Sequence, residues 1–332
     1  MSQADAMIRP ATPDDADAIV DLVNAEMRSL TGEERITRSQ LVHEWREPGY
    51  ELERDCRVAA LPDGRLASMV ELNTGRAPFV RHYSFFALHP EHRHRVDTDA
   101  LLAWLIARTR EELPRAPEDA RVTLLGGALA NNDYMIDALE RAGFSETRRF
   151  YQMRIELDAR PEPPRIPEGY EIRPMQPGEE WDTFVANRTA FRDHYGSVDA
   201  EPDQDGFAEW KHHLVDPEDV DPELLLVAAT AKGEIAGVSL CTPHHGADES
   251  MGWVRVLGVT PEHRGRGLGK ALLRASFAAF HAKGKERAGL GVDAQSLTGA
   301  TKLYEACGMH RHREAIQMGY VLRDGVELAR IV

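Results

Sequence analysis

The chain has few lysines, few cysteines and no long apolar run. Only six of its 40 basic residues are lysine, which leaves 34 arginines. Its three cysteines, Cys56, Cys241 and Cys307, are far apart and lack metal-ligand spacing, a usage typical of a reducing compartment. No apolar run approaches the ~20 residues that span a bilayer, and the N-terminus lacks the basic and apolar regions of a signal peptide. We therefore expect a cytoplasmic protein without membrane partners.

The excess of negative charge limits the classes of partner. A net charge of −15 disfavours nucleic acids and anionic membranes. It is compatible with a cationic acceptor such as an amine, although acidic surfaces also simply favour solubility. With 42% hydrophobic and 29% charged residues, the chain has an ordinary globular composition, and its 332 residues suit two domains.

Three sequence landmarks occur twice, in the same order and at nearly constant separation. The matching segments lie 164 to 171 residues apart: 8–10 with 172–174, 88–102 with 259–273, and 139–144 with 304–309. A proline-rich stretch, 159–169, lies between the two series and is typical of a linker. The sequence therefore predicts a duplication, with domains at 1–158 and 170–332 joined by the linker 159–169.

The most informative stretch, 256–273, reads as a buried strand, a glycine-rich loop and the start of a helix. Gly265, Gly267 and Gly269 carry no side chain, so backbone N–H groups can close on a phosphate. The helix adds its positive N-terminal end, and Arg264 and Arg266 add full charges. This order predicts a site for a cofactor that carries a pyrophosphate.

The spacing of the glycines separates the possible cofactors. A dinucleotide fingerprint needs an acid about 20 residues after its glycines, but Gly284 and Lys285 lie there. A Walker loop needs serine or threonine after its lysine, but alanine follows Lys270. The remaining pattern, R-x-x-G-x-G from Arg264 to Gly269 after a buried strand, resembles motif A of the GCN5-related N-acetyltransferases (GNAT family). A purely structural strand–helix turn is the alternative.

The order of elements in the second half also resembles the GNAT domain. A hairpin at 224–240, a strand at 252–259, a helix at 270–283, a strand at 288–293 and a last helix at 298–305 follow one another. The resemblance implies an α/β fold with a mixed sheet, built as two tandem GNAT-like domains. Each would have a mostly antiparallel, splayed sheet flanked by helices. Strand alternation further predicts Trp253, Arg255 and Leu257 on one face of the strand.

The resemblance also implies which residues contact acetyl-CoA. In the family, the backbone of the cofactor strand pairs with the pantetheine arm, and N–H groups of the loop take the pyrophosphate. Ser296 stands where the family often has asparagine, and Thr298 is a candidate helix cap. The candidate cofactor-binding residues are Leu257, Gly258, Val259, Arg264, Gly265, Arg266, Gly267, Leu268, Gly269, Lys270, Ser296 and Thr298.

The catalytic candidates are one possible acid and two possible bases, and the general base stays open. Tyr304, in an L-Y-x-x-x-G segment, matches the family's tyrosine near the CoA sulfur, where a phenol can protonate the departing thiolate. A core tyrosine is the alternative. Asp193 and His194 belong to an F-x-D-H-Y-G segment similar to one in tandem GNAT proteins related to mycothiol synthase. Glu249 is another possible base. His244 and His245 have no third ligand at metal-site spacing, so no metal is expected.

The two halves differ where chemistry would occur. His94, Val96 and Thr98 replace the three loop glycines, and Leu139 replaces Tyr304. The first half is therefore expected either to be a structural lobe or to help form the acceptor pocket. The resemblance implies an N-acetyltransferase that acetylates a primary amine of a small molecule with acetyl-CoA, and we expect a monomer or homodimer. The acceptor could be an aminoglycoside, an amino-sugar thiol precursor or another small amine. The alternative is an acyl-CoA-binding regulator without turnover.

Overall fold

The computed structural model describes residues 5–296 and 299–331, which divide into two compact units. The first contains 5–149 and 314–328, and the second contains 150–296, 299–313 and 329–331. Each unit is thus completed by a segment from the other half of the sequence. The predicted boundaries at 158 and 170 describe the duplication and do not include this exchange. No helix within the described ranges is both long and apolar enough to cross a membrane.

The first unit alternates helices with a six-stranded sheet, in the order β1-β2-β3-β4-β5-β12. Its elements are β1 (Met7–Pro10), α1 (Ala16–Thr31), α2 (Arg38–Glu44), α3 (Leu52–Asp55), β2 (Cys56–Ala60), β3 (Leu66–Asn73), β4 (Arg81–Leu88), α4 (Thr98–Arg110), β5 (Val122–Leu129), α5 (Asp133–Arg141), the start of β6 (Ser145–Glu156) and most of β12 (His310–Arg323).

The second unit repeats this plan, with strands in the order β7-β8-β9-β10-β11-β6. Its own elements are β7 (Tyr170–Pro174), α6 (Glu180–Phe191), α7 (Gln204–Leu214), β8 (Leu225–Thr230), β9 (Ile235–Thr242), β10 (Met251–Val259), α8 (Leu268–Ala282), β11 (Arg287–Asp293) and α9 (Ala300–Glu305). The hairpin, the cofactor strand, the long helix and the splayed strand predicted from the sequence are all present.

Each sheet is antiparallel except for one parallel pair that separates along its length. In the first unit β4 and β5 pair only from Arg81–Thr123 to Tyr83–Leu125. In the second unit β10 and β11 pair only from Met251–Arg287 to Val254–Leu290. The predicted fold class, a mixed and splayed sheet flanked by helices, is confirmed.

The same ion pair fixes the first helix of each unit and supports the duplication. In the first unit Arg9 donates to Asp15 at 2.7 Å, and the same carboxylate accepts from the Thr12 N–H at 2.8 Å. In the second unit Arg173 donates to Glu179 at 2.8 Å, and Glu179 accepts from the Gln176 N–H at 2.8 Å. The carboxylate thus holds both the strand and the start of the helix in each copy.

Strand β10 contains a β-bulge at Arg255 that the sequence did not reveal. Val254 pairs with Cys241 and Val256 with Leu240, so one extra residue lies between them. Because a bulge reverses the alternation of side chains, Val254 and Leu257 pack in the core under α8, whereas Val256 packs with α6 and α7. The prediction that Trp253, Arg255 and Leu257 share a face is therefore wrong.

Candidate active site

The splay of the second sheet exposes one edge of the strand β10. Beyond the bulge at Arg255, residues 256–259 pair in the described chain with β9 alone. An unpaired strand edge offers backbone N–H and C=O groups to an extended ligand. The gap between β10 and β11 is therefore a site where a linear molecule can add as a strand.

A cavity of about 520 Å³ lies along this gap, within the second unit. Its size is that of a small-molecule site. The predicted site residues that line it are Leu257, Gly258, Val259, Arg264, Gly265, Gly267, Leu268, Gly269, Lys270, Ser296, His194 and Tyr304. Asp193 and Arg266 are not among the described lining residues, and Thr298 lies outside the described part of the chain.

The glycine-rich loop uses two of its glycines for conformation. Gly265 and Gly267 have φ values of 76° and 84°, in the left-handed region that favours glycine. Gly267 is the N-cap of α8, which begins at Leu268, two residues before the predicted start. Gly269 is therefore helical, and a Cβ there would make ordinary contact with Leu303 at 3.6 Å. The loop thus leaves the positive end of α8 open at the cavity.

Arg264 holds the loop rather than reaching freely into the cavity. Its Nε donates to the Val259 carbonyl at 3.1 Å, and its Nη2 donates to the Ala190 carbonyl at 2.8 Å. The guanidinium also forms a bidentate ion pair with Asp193. One side chain therefore ties the end of β10 to the end of α6.

Arg266 lies on the outer side of the loop. It donates to the Tyr170 hydroxyl at 3.0 Å and to the Glu262 carbonyl at 3.2 Å. Tyr170 in turn bonds His263 Nδ1 at 2.7 Å. This arginine braces the loop from outside, where it stays exposed to solvent.

Asp193 and His194 differ in their relation to the cavity. The Arg264 guanidinium holds the pKa of the Asp193 carboxyl well below its usual range, which makes this group a weak proton acceptor. His194 lines the cavity and places its Nδ1 3.0 Å from Asp193, while its ring lies 4.7 Å from that of Phe191. Glu249 is exposed just before β10 and is not among the described lining residues.

Tyr304 is buried in the wall of the cavity and remains a phenol. Its side chain is 7% exposed and packs in the core beneath α8. Burial, with a smaller effect of Cys307, raises the pKa of Tyr304 to about 12. The hydroxyl is therefore protonated throughout the neutral range and can act only as a proton donor there.

Some lining residues were not among the predicted site residues, although Phe191 begins the F-x-D-H-Y-G segment. Phe150 comes from β6, which the sequence places in the first domain. Ala190 and Phe191 close on Gly258 from α6, where a Cβ on that glycine would lie 2.9 and 2.8 Å from them. Gly291 on β11 lines the cavity without a side chain. Only the fold brings these segments together.

Comparisons with known proteins bear on the family to which the chain belongs. The model of the acetyltransferase (GNAT) family matches residues 184–309. A mycothiol acetyltransferase of Stackebrandtia nassauensis is 33% identical over 68% of this chain and 69% of its own length. One from Streptomyces coelicolor is 30% identical over 91% of this chain and 90% of its own length.

Two solved structures share the fold over nearly the whole chain. A GCN5-related N-acetyltransferase from Sphaerobacter thermophilus superposes with a TM-score of 0.79 at 28% identity, covering 97% of both chains. A tandem GNAT protein of the clavulanic acid biosynthesis pathway superposes with a TM-score of 0.70 at 16% identity, covering 97% of this chain and 100% of that one. The chain therefore belongs to the GNAT family and is an N-acetyltransferase with two tandem GNAT-like parts.

Proposed function

We propose that the second unit transfers the acetyl group of acetyl-CoA directly to a primary amine of a small molecule. The observation that carries the proposal is that one cavity combines the free edge of β10, the open end of α8 and a protonated Tyr304. The residues fit the cofactor because a Cβ at Gly265 or Gly267 would meet no described atom within 4 Å, so the loop can close on a pyrophosphate.

Each feature of the cavity has a separate task in this proposal. Acetyl-CoA supplies a thioester, whose C–S bond breaks as the amine nitrogen bonds to the carbonyl carbon. Backbone groups of Leu257 and Val259 align the pantetheine arm, and an N–H near Leu257 stabilises the developing negative charge on oxygen. Tyr304 gives its proton to the departing sulfur and then regains one from water. The amine proton leaves through water or through His194, which lines the same cavity.

Amine-dependent release of the CoA thiol tests the proposal. Purified protein is mixed with acetyl-CoA and with a panel of amines, and the acetylated product is identified by mass spectrometry. We expect release only when an amine is present, with one acetyl group added to the product. Binding of acetyl-CoA with no release for any amine would instead favour a regulator that senses acyl-CoA.

We further propose that Asp193 positions Arg264 and does not take the amine proton. Arg264→Lys should raise the KM for acetyl-CoA about tenfold, because an ammonium cannot hold two carbonyls and a carboxylate together. Asp193→Asn removes the other partner of this ion pair and should also raise the KM for acetyl-CoA. Steady-state kinetics check both variants. A fall of about a hundredfold in kcat for Asp193→Asn, with KM unchanged, would identify Asp193 as the base.

We propose that the first unit does not bind the cofactor. Its own carboxylates accept hydrogen bonds from backbone N–H groups at the positions where the second unit offers such groups to the cavity. By the offset of 164 residues, Glu26 corresponds to Ala190, which lines the cavity of the second unit. The Glu26 carboxylate accepts from the Leu88 N–H at the end of β4. At the start of α4, Asp97 accepts from the Ala100 N–H at 2.9 Å. One N–H of the strand edge and one N–H of the helix end are thus bonded to side chains of the first unit itself.

Glu26 should make the stability of the first unit fall as pH rises. Burial raises the pKa of Glu26 to about 7 from a usual value near 4.5. Its stabilising contribution is therefore complete below about pH 4.5 and is lost as pH rises through about 7. Glu26→Gln keeps an acceptor for the Leu88 N–H but cannot ionise. As the pH is raised from 5 to 8, the free energy of unfolding of the variant, measured with urea, should rise by about 2 kcal/mol relative to that of the wild type. Identical pH dependence of both proteins would contradict the buried carboxylate.

A further inference from the structure

One face of the second sheet carries an aromatic pair to which no predicted cofactor or catalytic residue belongs. The strand register places Trp253, Gly289 and Gly291 on this face, next to Gln152 and Phe150 of β6. The opposite face carries the side chains that form the core under α8, among them Val254, Leu290 and Met153. The aromatic pair therefore lies on the side of the sheet away from α8.

The pair is held rigidly. The indole of Trp253 lies against Gly289, where a Cβ would come within 2.6 Å of ring atom Cζ3. The imidazole of His245 stacks on Trp253, with ring centroids 3.8 Å apart and planes 20° from parallel. The side-chain amide of Gln152 lies 3.2 Å from His245 Nε2. Three strand and turn segments thus fix one flat, half-buried surface.

On β11, Gly291 lies between this surface and the cavity and has no side chain. A Cβ at Gly291 would meet no described atom within 4 Å, and the residue is exposed. Gly291 also lines the cavity, together with Phe150 and Asp293 on the same face. A molecule that lies on the aromatic pair can therefore extend across Gly291 into the cavity that Tyr304 lines.

We infer that Trp253, His245 and Gln152 form the acceptor subsite, which binds the body of the amine while its amino group enters the cavity over Gly291. The inference rests on the proposed acetyl transfer. Aromatic rings pack against an apolar ring face, an amide bonds hydroxyl groups, and a glycine floor allows close approach. This combination suits a cyclic, hydroxylated amine, such as an amino sugar or an aminocyclitol, better than a linear alkylamine.

Variants at Trp253 test the subsite with glucosamine and n-hexylamine as probes. Trp253→Leu removes the indole on which His245 stacks, so the aromatic pair is lost, and it should raise the KM for glucosamine about tenfold, the size expected for a lost aromatic contact. The KM for acetyl-CoA should stay within about twofold. Trp253→Phe keeps an aromatic ring and should stay within about threefold of the wild type for glucosamine. Gly291→Leu fills open space without striking described atoms, so it should fold and lose glucosamine turnover.

Calorimetry of glucosamine in the presence of CoA separates the subsite from the reaction. Equal glucosamine KM values for the wild type and Trp253→Leu would overturn the subsite and leave acetyl transfer intact. Binding that Trp253→Leu weakens, without any acetylated product, would support the subsite and overturn the proposed reaction. Preference of the wild type for n-hexylamine, or the absence of glucosamine binding, would overturn the ring-binding subsite.

Discussion

Replacing Gly267 with valine is expected to weaken acetyl-CoA binding by about a hundredfold or more. Gly267 has a φ of 84° and caps α8, so a β-branched residue must either accept severe strain or rearrange the loop. In both cases the N–H groups at the start of α8 no longer converge on one point. Calorimetric titration with acetyl-CoA measures the loss.

Gly284 provides a matched control on the same helix. It follows the other end of α8 with a φ of 75°, and a Cβ there would also meet no described atom within 4 Å. Gly284→Val should therefore lose a similar amount of stability, about 1–2 kcal/mol, in thermal unfolding. Its acetyl-CoA affinity should stay within about twofold of the wild type. Equal loss of affinity in both variants would mean that strain, not the anion site, explains the effect.

Tyr304→Phe is expected to lower kcat between about a hundredfold and ten-thousandfold, the usual contribution of a general acid. The phenyl ring keeps the packing of this buried side chain, so the KM for acetyl-CoA should change less than about threefold. Stopped-flow release of the thiol, at saturating amine, measures the step directly.

The pH dependence of this variant gives a second readout. Because burial raises the pKa of Tyr304 to about 12, the hydroxyl keeps its proton in neutral and mildly alkaline solution. An alkaline fall in kcat centred well below pH 12 therefore comes from another group and should persist in Tyr304→Phe. Tyr195→Phe is the matched control, since Tyr195 lines the same cavity and should lose less than about threefold. A larger loss of kcat in Tyr195→Phe would identify Tyr195 as the general acid instead.

Local sequence signals predicted the elements of the second unit well. The glycine loop, the strand before it and the helix after it depend on neighbours within a few residues, and such patterns are readable in one chain. The role of Arg264 was not readable. Its charge predicted a phosphate contact, whereas the fold places Asp193 and the Ala190 carbonyl beside it. These contacts with Arg264 join residues that lie 71 to 74 positions apart in the sequence.

The features that the sequence did not reveal depend on sheet register. The bulge at Arg255 has no glycine to mark it, and it changes which side chains β10 presents to each side. The strand that completes the second unit comes from residues 150–156, and it brings Phe150 to the cavity and Gln152 to His245. Alternation within one strand cannot show which strand becomes its neighbour.

The number of acetyl-CoA molecules bound by each chain tests the central claim, that only the second unit holds a working cofactor site. Calorimetric titration should give one site per chain for the wild type and for Glu26→Gln, and no measurable site for Gly267→Val. Two sites in the wild type, or one undiminished site in Gly267→Val, would contradict this assignment and place cofactor binding in the first unit.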